Sequence, residues 1–183
     1  MIDIPLTRNF RDWCHEYALG NMVKSVTREP GTLEMQLSGV IGQNAVLWML
    51  GMPLMKHQQG YDGGYDLVLD GVRVDVKTQT RKVTVKEVMV ANFVDDQRRL
   101  NAQAYIFTSY NWVKQIVTVC GWAPKNWLFE RAEFHKKGDL RYRSDGTSFF
   151  NRYNNWEMPL SKLFPCYSAF DLRDSIRNKM VSL

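Results

Sequence analysis

Three charged residues, Asp66, Asp75 and Lys77, lie close together in the sequence and are of types that carry out metal and phosphate chemistry. Carboxylates are hard oxygen ligands, and Mg²⁺ is commonly held in proteins by one or two of them. A lysine ammonium can orient an attacking water or stabilise the charge that develops on a phosphate. These side chains therefore predict a metal-dependent site for phosphate chemistry, provided that the fold brings them together.

A tight β-hairpin would bring them together. Asp70-Gly71 is a dipeptide suited to a type I′ turn, and the runs on either side, 65–69 and 72–78, are rich in β-favouring residues. The pairing of the two strands follows by counting outward from a two-residue turn, and it places Asp66 opposite Asp75. Directly opposed residues have Cβ atoms about 5 Å apart, so the two carboxylates are expected to meet.

Side chains alternate along a strand, which divides the hairpin into two faces. One face carries Asp66, Asp75 and Lys77, with Lys77 roughly 6.6 Å beyond Asp75 along the strand. Opposed carboxylates repel each other, and a divalent cation between them would relieve the repulsion, with the Val76 carbonyl as a further ligand. The alternative is a surface hairpin whose charged side chains are merely solvated. The other face is wholly apolar and is expected to be buried; it consists of Leu67, Leu69, Val72, Val74 and Val76.

Two helices are predicted before the hairpin. Thr7 is the expected N-cap of the first, over which apolar residues recur at helical spacing through 10–18. The second has an apolar stripe over 33–48 and a stop signal at Gly51. Both stripes are predicted to face the core.

The rest of the chain completes a mixed sheet flanked by helices, which is an α/β or α+β fold in a single domain, 1–183. Residues 1–30 are assigned to the N-terminal helix and 125–183 to peripheral C-terminal elements. Segment 82–99 fits either an extended or a helical structure. The elements predicted after it are two strands (104–109 and 115–120), a chain break (121–124), a short helix (126–132), an exposed loop or long hairpin (136–155) and a final helix from Ser168 or Asp171.

Gly64-Tyr65-Asp66, followed by the hairpin and Asp75-Val76-Lys77, resembles the D…(D/E)xK motif of the PD-(D/E)xK nuclease superfamily, which includes restriction endonucleases and Holliday-junction resolvases. The order of a helix and then the motif hairpin is similar as well. The resemblance implies a restriction-endonuclease-like core in which the two aspartates bind Mg²⁺, with Mn²⁺ as a substitute. It also implies that Lys77 is the catalytic lysine, that Gln79 assists the site, and that the cut leaves a 5′-phosphate.

The chain departs from this family at the helix before the hairpin. Relatives often carry a Glu there, in a Gly-Glu-x-Ala context, whereas this chain reads Gly42-Gln43-Asn44-Ala45. An amide is a neutral and weaker ligand, so Gln43 is expected at the site but with reduced metal affinity or turnover; the alternative is a plain helix-surface residue. Glu34 lies nine residues before Gln43 and is interpreted as a first-turn acid that the helix dipole favours.

Basic residues suit a nucleic-acid partner. The chain has 24 Lys and Arg against 19 Asp and Glu, a net charge of +5. A first cluster follows the motif and consists of Arg81, Lys82 and Lys86. A second is interleaved with aromatic residues that can pack or stack on bases, and it contains Lys136, Lys137, Arg141 and Arg143. The alternative for the second cluster is a solvated loop anchored by its aromatic side chains.

Several classes of protein are disfavoured. A composition of 45% hydrophobic and 23% charged residues is that of a folded domain. The longest apolar stretch, 45–52, falls far short of the roughly 20 residues that span a membrane, and the N-terminus does not resemble a secretory signal. Three widely spaced cysteines without a CxxC pair favour a reducing cytoplasm. Without a GxxxxGK[ST] string, a nucleotide cofactor is not expected.

The sequence therefore predicts a Mg²⁺-dependent DNA endonuclease. Its compactness is similar to that of resolvase-like or phage-encoded members of the superfamily, and the resemblance implies a homodimer where both strands are cut. The first alternative is a nucleic-acid-binding protein on the same fold with weak or lost cleavage. The second is a structural protein without affinity for nucleic acid.

Overall fold

The computed structural model describes residues 1–22, 33–55, 63–142 and 146–181. Within these ranges the protein has a mixed α/β fold with four α-helices, two short 3₁₀ turns and three sheets. The helices are α1 (Arg8–Met22), α2 (Leu33–Met49), α3 (Lys125–Arg131) and α4 (Ala169–Val181), and the 3₁₀ turns are Asp95–Arg99 and Leu160–Lys162. The strands are β1 (Ile2–Pro5), β2 (Leu67–Leu69), β3 (Val72–Arg81), β4 (Val90–Val94), β5 (Ala104–Asn111), β6 (Ile116–Pro124), β7 (Glu133–His135), β8 (Leu140–Tyr142), β9 (Ser148–Phe150) and β10 (Asn155–Pro159).

The central sheet is mixed and has the strand order β1-β6-β5-β3-β2. Its one parallel pair is β3 with β5, and the other neighbours are antiparallel. The parallel register places Asp75 beside Tyr105, Lys77 beside Phe107 and Gln79 beside Ser109. The predicted mixed sheet flanked by helices is thus confirmed at the level of the α/β class.

The central sheet is covered on both faces. On one face, α1, α2 and α4 contribute to a core with the apolar face of the hairpin, including Ile41, Ala45, Leu172 and Ile176. On the other face, α3 and a second sheet, β4-β10-β7, build a core around Tyr105, Phe107, Leu128 and Met158. Residues of the C-terminal part, 125–183, supply buried side chains to both cores. No helix in the described ranges has the length and apolarity that a membrane crossing requires.

The hairpin has the predicted turn and register. Asp70 and Gly71 have φ angles of +49° and +85°, as a type I′ turn requires at its two central positions. The ladder runs from Leu69 opposite Val72 to Leu67 opposite Val74 and ends there. It is therefore one pair shorter than the prediction, which had continued it to Asp66. All five residues of the predicted apolar face are buried.

The predicted helices are present, with the expected cap at Thr7 and a further cap at Ser168 that was not predicted. The Phe10 N–H donates to Thr7 Oγ1 over 3.3 Å at the start of α1. The Asp171 N–H donates to Ser168 Oγ over 3.0 Å at the start of α4. A four-residue strand, β1, precedes α1 and was not predicted. Its pairing partner, β6, is distant in the sequence, so local pattern gave no sign of it.

The predicted chain break at 121–124 is wrong, because β6 continues through these residues to Pro124. The register with β5 shifts between Phe107 and Thr108, so that Cys120 is left as the extra residue of a bulge. Gly121 follows it with φ +155° and lies against Phe164 and Leu163, too close for a side chain. The glycine thus marks a close approach inside a strand and not the end of one. In the ambiguous segment 82–99, the structure has both β4 and a 3₁₀ turn.

Helix α2 lies directly on the central sheet because Gly42 has no side chain. A Cβ at this position would lie 1.9 Å from Thr78 Oγ1 and 2.8 Å from Thr108 Oγ1. These two hydroxyls are hydrogen-bonded to each other over 2.9 Å, which limits how far either can move away. The next residue along the helix is Gln43, so the close approach at Gly42 also sets the distance from Gln43 to the hairpin.

Gly42→Ala is expected to destabilise the protein by about 1–2 kcal/mol, since the cost of overpacking exceeds the roughly 1 kcal/mol by which Ala is the better helix former. The matched control is Gly39→Ala in the same helix, where a Cβ would have no neighbour within 4 Å. The control is expected to be neutral or stabilising. Urea unfolding of both variants measures the difference, and equal effects of the two changes would contradict the packing described here.

Candidate functional site

Asp75 and Lys77 form an ion pair on one face of β3. Lys77 Nζ lies 2.6 Å from Asp75 Oδ2, and the two side chains are 15% and 7% exposed. Their spacing of two residues places them on the same face of the strand, and β5 covers that strand from the side. The ion pair is thus held in a largely buried position, where water screens it little.

Asp66 lies just before β2 and takes over the hydrogen bonding where the ladder ends. Its carboxylate Oδ2 accepts the Val76 N–H over 2.7 Å, and its own N–H donates to the Val74 carbonyl over 2.9 Å. A carboxylate oxygen therefore accepts the hydrogen bond that a backbone carbonyl of a paired strand would otherwise accept. The backbone N–H and C=O of one residue point to the same edge of a strand, so the Val76 carbonyl is directed to this edge as well.

The carboxyl group of Asp66 lies within hydrogen-bonding reach of the Asp75 side chain. Burial raises the pKa of Asp66 well above its ordinary value of 3.8, and the charge of Asp75 and a hydrogen bond with the Asp75 side chain raise the pKa further. The Val76 N–H and the Lys77 charge act in the opposite direction and lower the pKa. The raising effects dominate, so the site holds a proton on Asp66 more tightly than an unfolded chain does.

Gln43 and Gln79 lie on either side of the acids. Gln43 is buried in α2, and its Nε2 donates to the backbone carbonyl of Asp66 over 3.3 Å. It therefore contacts the main chain of the hairpin and fixes the position of Asp66. Gln79 follows Lys77 on the same face of β3, where its Oε1 accepts from Arg81 Nη2 over 2.8 Å. The described hydrogen bonds of Gln79 link it to Arg81 and not to the aspartates.

Two residues beside the acids were missed by the sequence-based prediction. Tyr105 is fully buried next to Asp75, and its hydroxyl has no hydrogen-bond partner among the described residues. Burial and then the Asp75 charge raise the pKa of Tyr105. Lys125, at the start of α3, donates from Nζ to the Leu100 carbonyl over 2.6 Å. Burial and then Arg98 lower the pKa of Lys125, and the charge of Asp75 acts against them. The β3–β5 register is the signal that would have found Tyr105, and the sequence does not reveal it.

The first basic cluster divides into one structural residue and two exposed ones. Arg81 Nη2 also donates to the Val90 carbonyl over 2.9 Å, which ties β3 to β4, and burial lowers the pKa of Arg81. Lys82 and Lys86 are exposed, and Lys82 Nζ lies 5.8 Å from the centre of the Trp112 ring. The two lysines are therefore available to a phosphate backbone, whereas Arg81 is engaged within the fold.

The second basic cluster is divided in the same way. Lys136 and Lys137 are exposed. Arg141 instead pairs with Glu157, with 2.9 Å between Nη2 and Oε2, and lies against β10. Arg143 lies outside the described residues. The predicted hairpin over 136–155 is present as β8 and β9.

The donor set at the hairpin consists of hard oxygen atoms. Two carboxylates and one strand-edge carbonyl are the ligand types that Mg²⁺ and Mn²⁺ take, and Mg²⁺ needs few protein ligands because it retains water and phosphate oxygens. Within the described ranges, no group of three or more His, Cys, Asp or Glu side chains is placed to hold a metal ion. Oxygen donors of this kind suit a hard divalent cation, whereas structural zinc sites use cysteine and histidine ligands.

Comparisons with protein families, with curated proteins and with solved structures found no match to this chain. The geometry and chemistry of the site itself are therefore the basis for assigning a function.

Asp66→Asn is expected to stabilise the metal-free protein relative to the wild type, by an amount that grows with pH. The folded state binds the Asp66 proton more tightly than the unfolded chain, so ionisation of Asp66 lowers the free energy of unfolding. This loss of stability is absent below the ordinary pKa of 3.8 and increases as the pH rises toward the raised pKa of Asp66 in the folded state. Above that raised pKa the loss is constant. Asn keeps an oxygen that accepts the Val76 N–H and removes the titration.

Urea unfolding in chelator across a pH series measures this difference. Asp70→Asn is the matched control, because it removes an exposed carboxylate from the same hairpin at a position with positive φ that Asn tolerates. A gain for Asp66→Asn that does not change with pH would show that burial of this carboxyl is not what destabilises the wild type.

Proposed function

We propose that this chain is a Mg²⁺-dependent DNA endonuclease that hydrolyses phosphodiester bonds at Asp66, Asp75 and Lys77, on a core of the restriction-endonuclease type. The observation that carries the proposal is the meeting of two acids beside an ammonium in a largely buried position. Asp66 and Asp75 lie close enough to share a hydrogen bond, and Lys77 lies 2.6 Å from Asp75. Such a group is costly to fold unless a bound cation uses it.

The metal would be held by the carboxylates of Asp66 and Asp75 and by the Val76 carbonyl. A bound Mg²⁺ or Mn²⁺ would supply a more acidic water and neutralise charge on the phosphate. Val76 has a second role in this arrangement, because its N–H keeps the Asp66 carboxylate aimed at the strand edge. Gln43 is a positioning residue, since its amide holds the Asp66 main chain and not the carboxylate.

Lys77 is placed to act on the substrate. Its ammonium is paired with Asp75, beside the carboxylates that would hold the cation, and from there it would hydrogen-bond an attacking water or a phosphate oxygen. The aromatic ring of Tyr105, whose centre lies 6.0 Å from Lys77 Nζ, limits the other directions in which the amine can move. Lys77 is therefore proposed as the catalytic lysine.

DNA is the proposed substrate because of the net charge of +5 and the exposed lysines of the two basic clusters. Lys82 and Lys86, which follow β3, and Lys136 and Lys137, which follow β7, would contact phosphates. A homodimer is proposed where both strands are cut, since the described residues of one chain form a single site of this kind.

One observation favours a second candidate, a nucleic-acid-binding protein with weak or lost cleavage. Gln43 stands at the helix position from which an acidic residue could bind the cation, and its neutral amide is engaged with the Asp66 main chain. The number of anionic ligands is then two, which lowers the affinity for a divalent cation.

Asp75→Ala and Lys77→Ala are expected to abolish Mg²⁺-dependent nicking of supercoiled plasmid while DNA affinity in chelator is retained. Loss of a proton-transfer or charge-stabilising group lowers the rate by about 10²–10⁴-fold. Asp70→Asn, on the same hairpin, is expected to cleave like the wild type. Nicking assays with Mg²⁺, Mn²⁺ or chelator on plasmid, branched and single-stranded substrates measure the rates. A wild type that binds DNA but does not nick it with either metal supports the second candidate.

Mg²⁺ is expected to stabilise the wild type without any substrate. A cation that binds only the folded state at 100 times its dissociation constant raises the free energy of unfolding by about 2.7 kcal/mol. Asp66→Asn and Asp75→Asn are expected to lose this gain, and Asp70→Asn to keep it. Thermal unfolding in a Mg²⁺ titration measures the effect, and equal gains in all four proteins would locate the cation elsewhere.

A further inference from the structure

Strands β8 and β9 form a two-stranded ribbon, called here the aromatic arm (140–142 and 148–150), that no third strand joins in the described chain. Leu140 pairs with Phe150, and Tyr142 pairs with Ser148. Because side chains alternate along each strand, Leu140, Tyr142 and Phe150 share one face of the arm and Arg141 lies on the other.

The Arg141 face attaches the arm to the rest of the protein. An isolated two-stranded hairpin is marginally stable in water, so such an attachment is needed. Arg141 pairs with Glu157 of β10, whose side chain is 11% exposed. Backbone hydrogen bonds extend the ribbon at its base, from Gly138 N–H to the Asn151 carbonyl over 2.8 Å and from Asn151 N–H to the Asp139 carbonyl over 3.0 Å. These contacts fix the arm with its other face turned to solvent.

The solvent-facing side of the arm is apolar and aromatic. Tyr142 is 70% exposed, Phe150 66% and Leu140 46%. A contiguous exposed patch of this kind indicates a binding surface. Tyr142 and Phe150 are diagonal neighbours, with backbone positions roughly 7–8 Å apart. Both rings therefore lie on one exposed face, within reach of a single ligand.

Basic residues lie at the base of this patch. Lys136, Lys137 and Arg152 are exposed there. The acid Asp139, whose Oδ2 accepts the Lys136 N–H over 2.7 Å, offsets one of these three charges and leaves a positive balance among the four residues. The matching ligand therefore presents flat aromatic rings together with negative charge. A nucleotide has both, whereas an apolar protein surface lacks the charge that the three cations would neutralise.

We propose that the aromatic arm binds unpaired nucleotides, by stacking bases on Tyr142 and Phe150, and so directs the chain to single-stranded segments. Paired bases in a duplex stack on each other and hide their faces, so duplex DNA would offer the arm only its phosphates. The arm is anchored on β10, which packs through Met158 in the same core as Tyr105 and Phe107, the neighbours of Asp75 and Lys77 on β5. A strand held on the arm thus lies on the side of the central sheet that carries the catalytic face. The claim that single-stranded segments are the substrate rests on the proposed nuclease function.

Fluorescence anisotropy in chelator, with a labelled oligothymidylate and a labelled duplex of equal length, tests the proposal. The wild type is expected to bind the single strand, and the double variant Tyr142→Ala, Phe150→Ala to bind it about tenfold or more weakly with little change for the duplex. Tyr142→Phe keeps the ring and is expected to bind like the wild type. Phe170→Ala, which removes an aromatic side chain that is 73% exposed on α4, is the matched control and is expected to change neither affinity. All of these side chains are mostly exposed, so the substitutions open no cavity.

Equal single-strand affinity of the double variant and the wild type, or an equal loss in Phe170→Ala, would overturn the proposal. So would sedimentation velocity data in which the wild type forms a dimer that the double variant lacks while single-strand affinity is unchanged, since the patch would then join two copies of the chain. Plasmid nicking by the same proteins separates this result from the fate of the nuclease site. If single-strand binding depends on the arm and the wild type does not nick plasmid, the proposal for the arm stands and the proposed nuclease function fails. If the wild type nicks plasmid and binding does not depend on the arm, the nuclease function stands and the proposal for the arm fails.

Discussion

The repulsion between two carboxyl groups, Asp66 and Asp75, is the constraint around which the motif hairpin is organised. Three groups of the chain oppose it: the Val76 N–H binds Asp66, the Lys77 ammonium pairs with Asp75, and the Gln43 amide holds the Asp66 main chain. Burial of Asp66 acts in the same direction as the repulsion and more strongly, and together they leave the pKa of Asp66 raised. Such a pair lowers the free energy of unfolding when no ligand is bound. This kind of cost is common where a site is preorganised for a charged partner.

The elements around the acids leave the edge of β3 unpaired at Val76 and hold the Asp66 carboxylate there. Strand β2 is three residues long, so it ends before Val76 and leaves the strand edge to the Asp66 carboxylate. Gly42 allows α2 to approach β3 closely enough for Gln43 to reach the hairpin. On the other face, Tyr105 and the second sheet exclude water from beside Asp75. The short strand β2, the closely packed helix α2 and the second sheet thus all act on the same pair of carboxyl groups.

The positive charge of the chain serves two purposes. Arg81 and Arg141 are held within the fold, where one ties β3 to β4 and the other ties the aromatic arm to β10. The exposed lysines of both clusters remain free to meet phosphates, and arginine suits the internal positions because its planar group makes directed hydrogen bonds. Net charge alone does not distinguish these roles, since each residue counts equally in the sum.

Local features of the sequence determined the hairpin and the placement of its charged residues. The Asp70-Gly71 turn fixes the register, and alternation from that turn puts the acids and Lys77 on one face and the apolar residues on the other; these depend only on neighbours in the chain. The caps at Thr7 and Ser168 and the helix at α2 follow from local pattern for the same reason. Tertiary structure alone decided what lies beside the site. The pairing of β3 with β5 brings Tyr105 to Asp75, the bulge at Cys120 carries β6 through an apparent break, and β1 exists only because β6 offers it an edge. Such pairings join residues far apart in sequence, and their free energy comes from packing that no local pattern encodes.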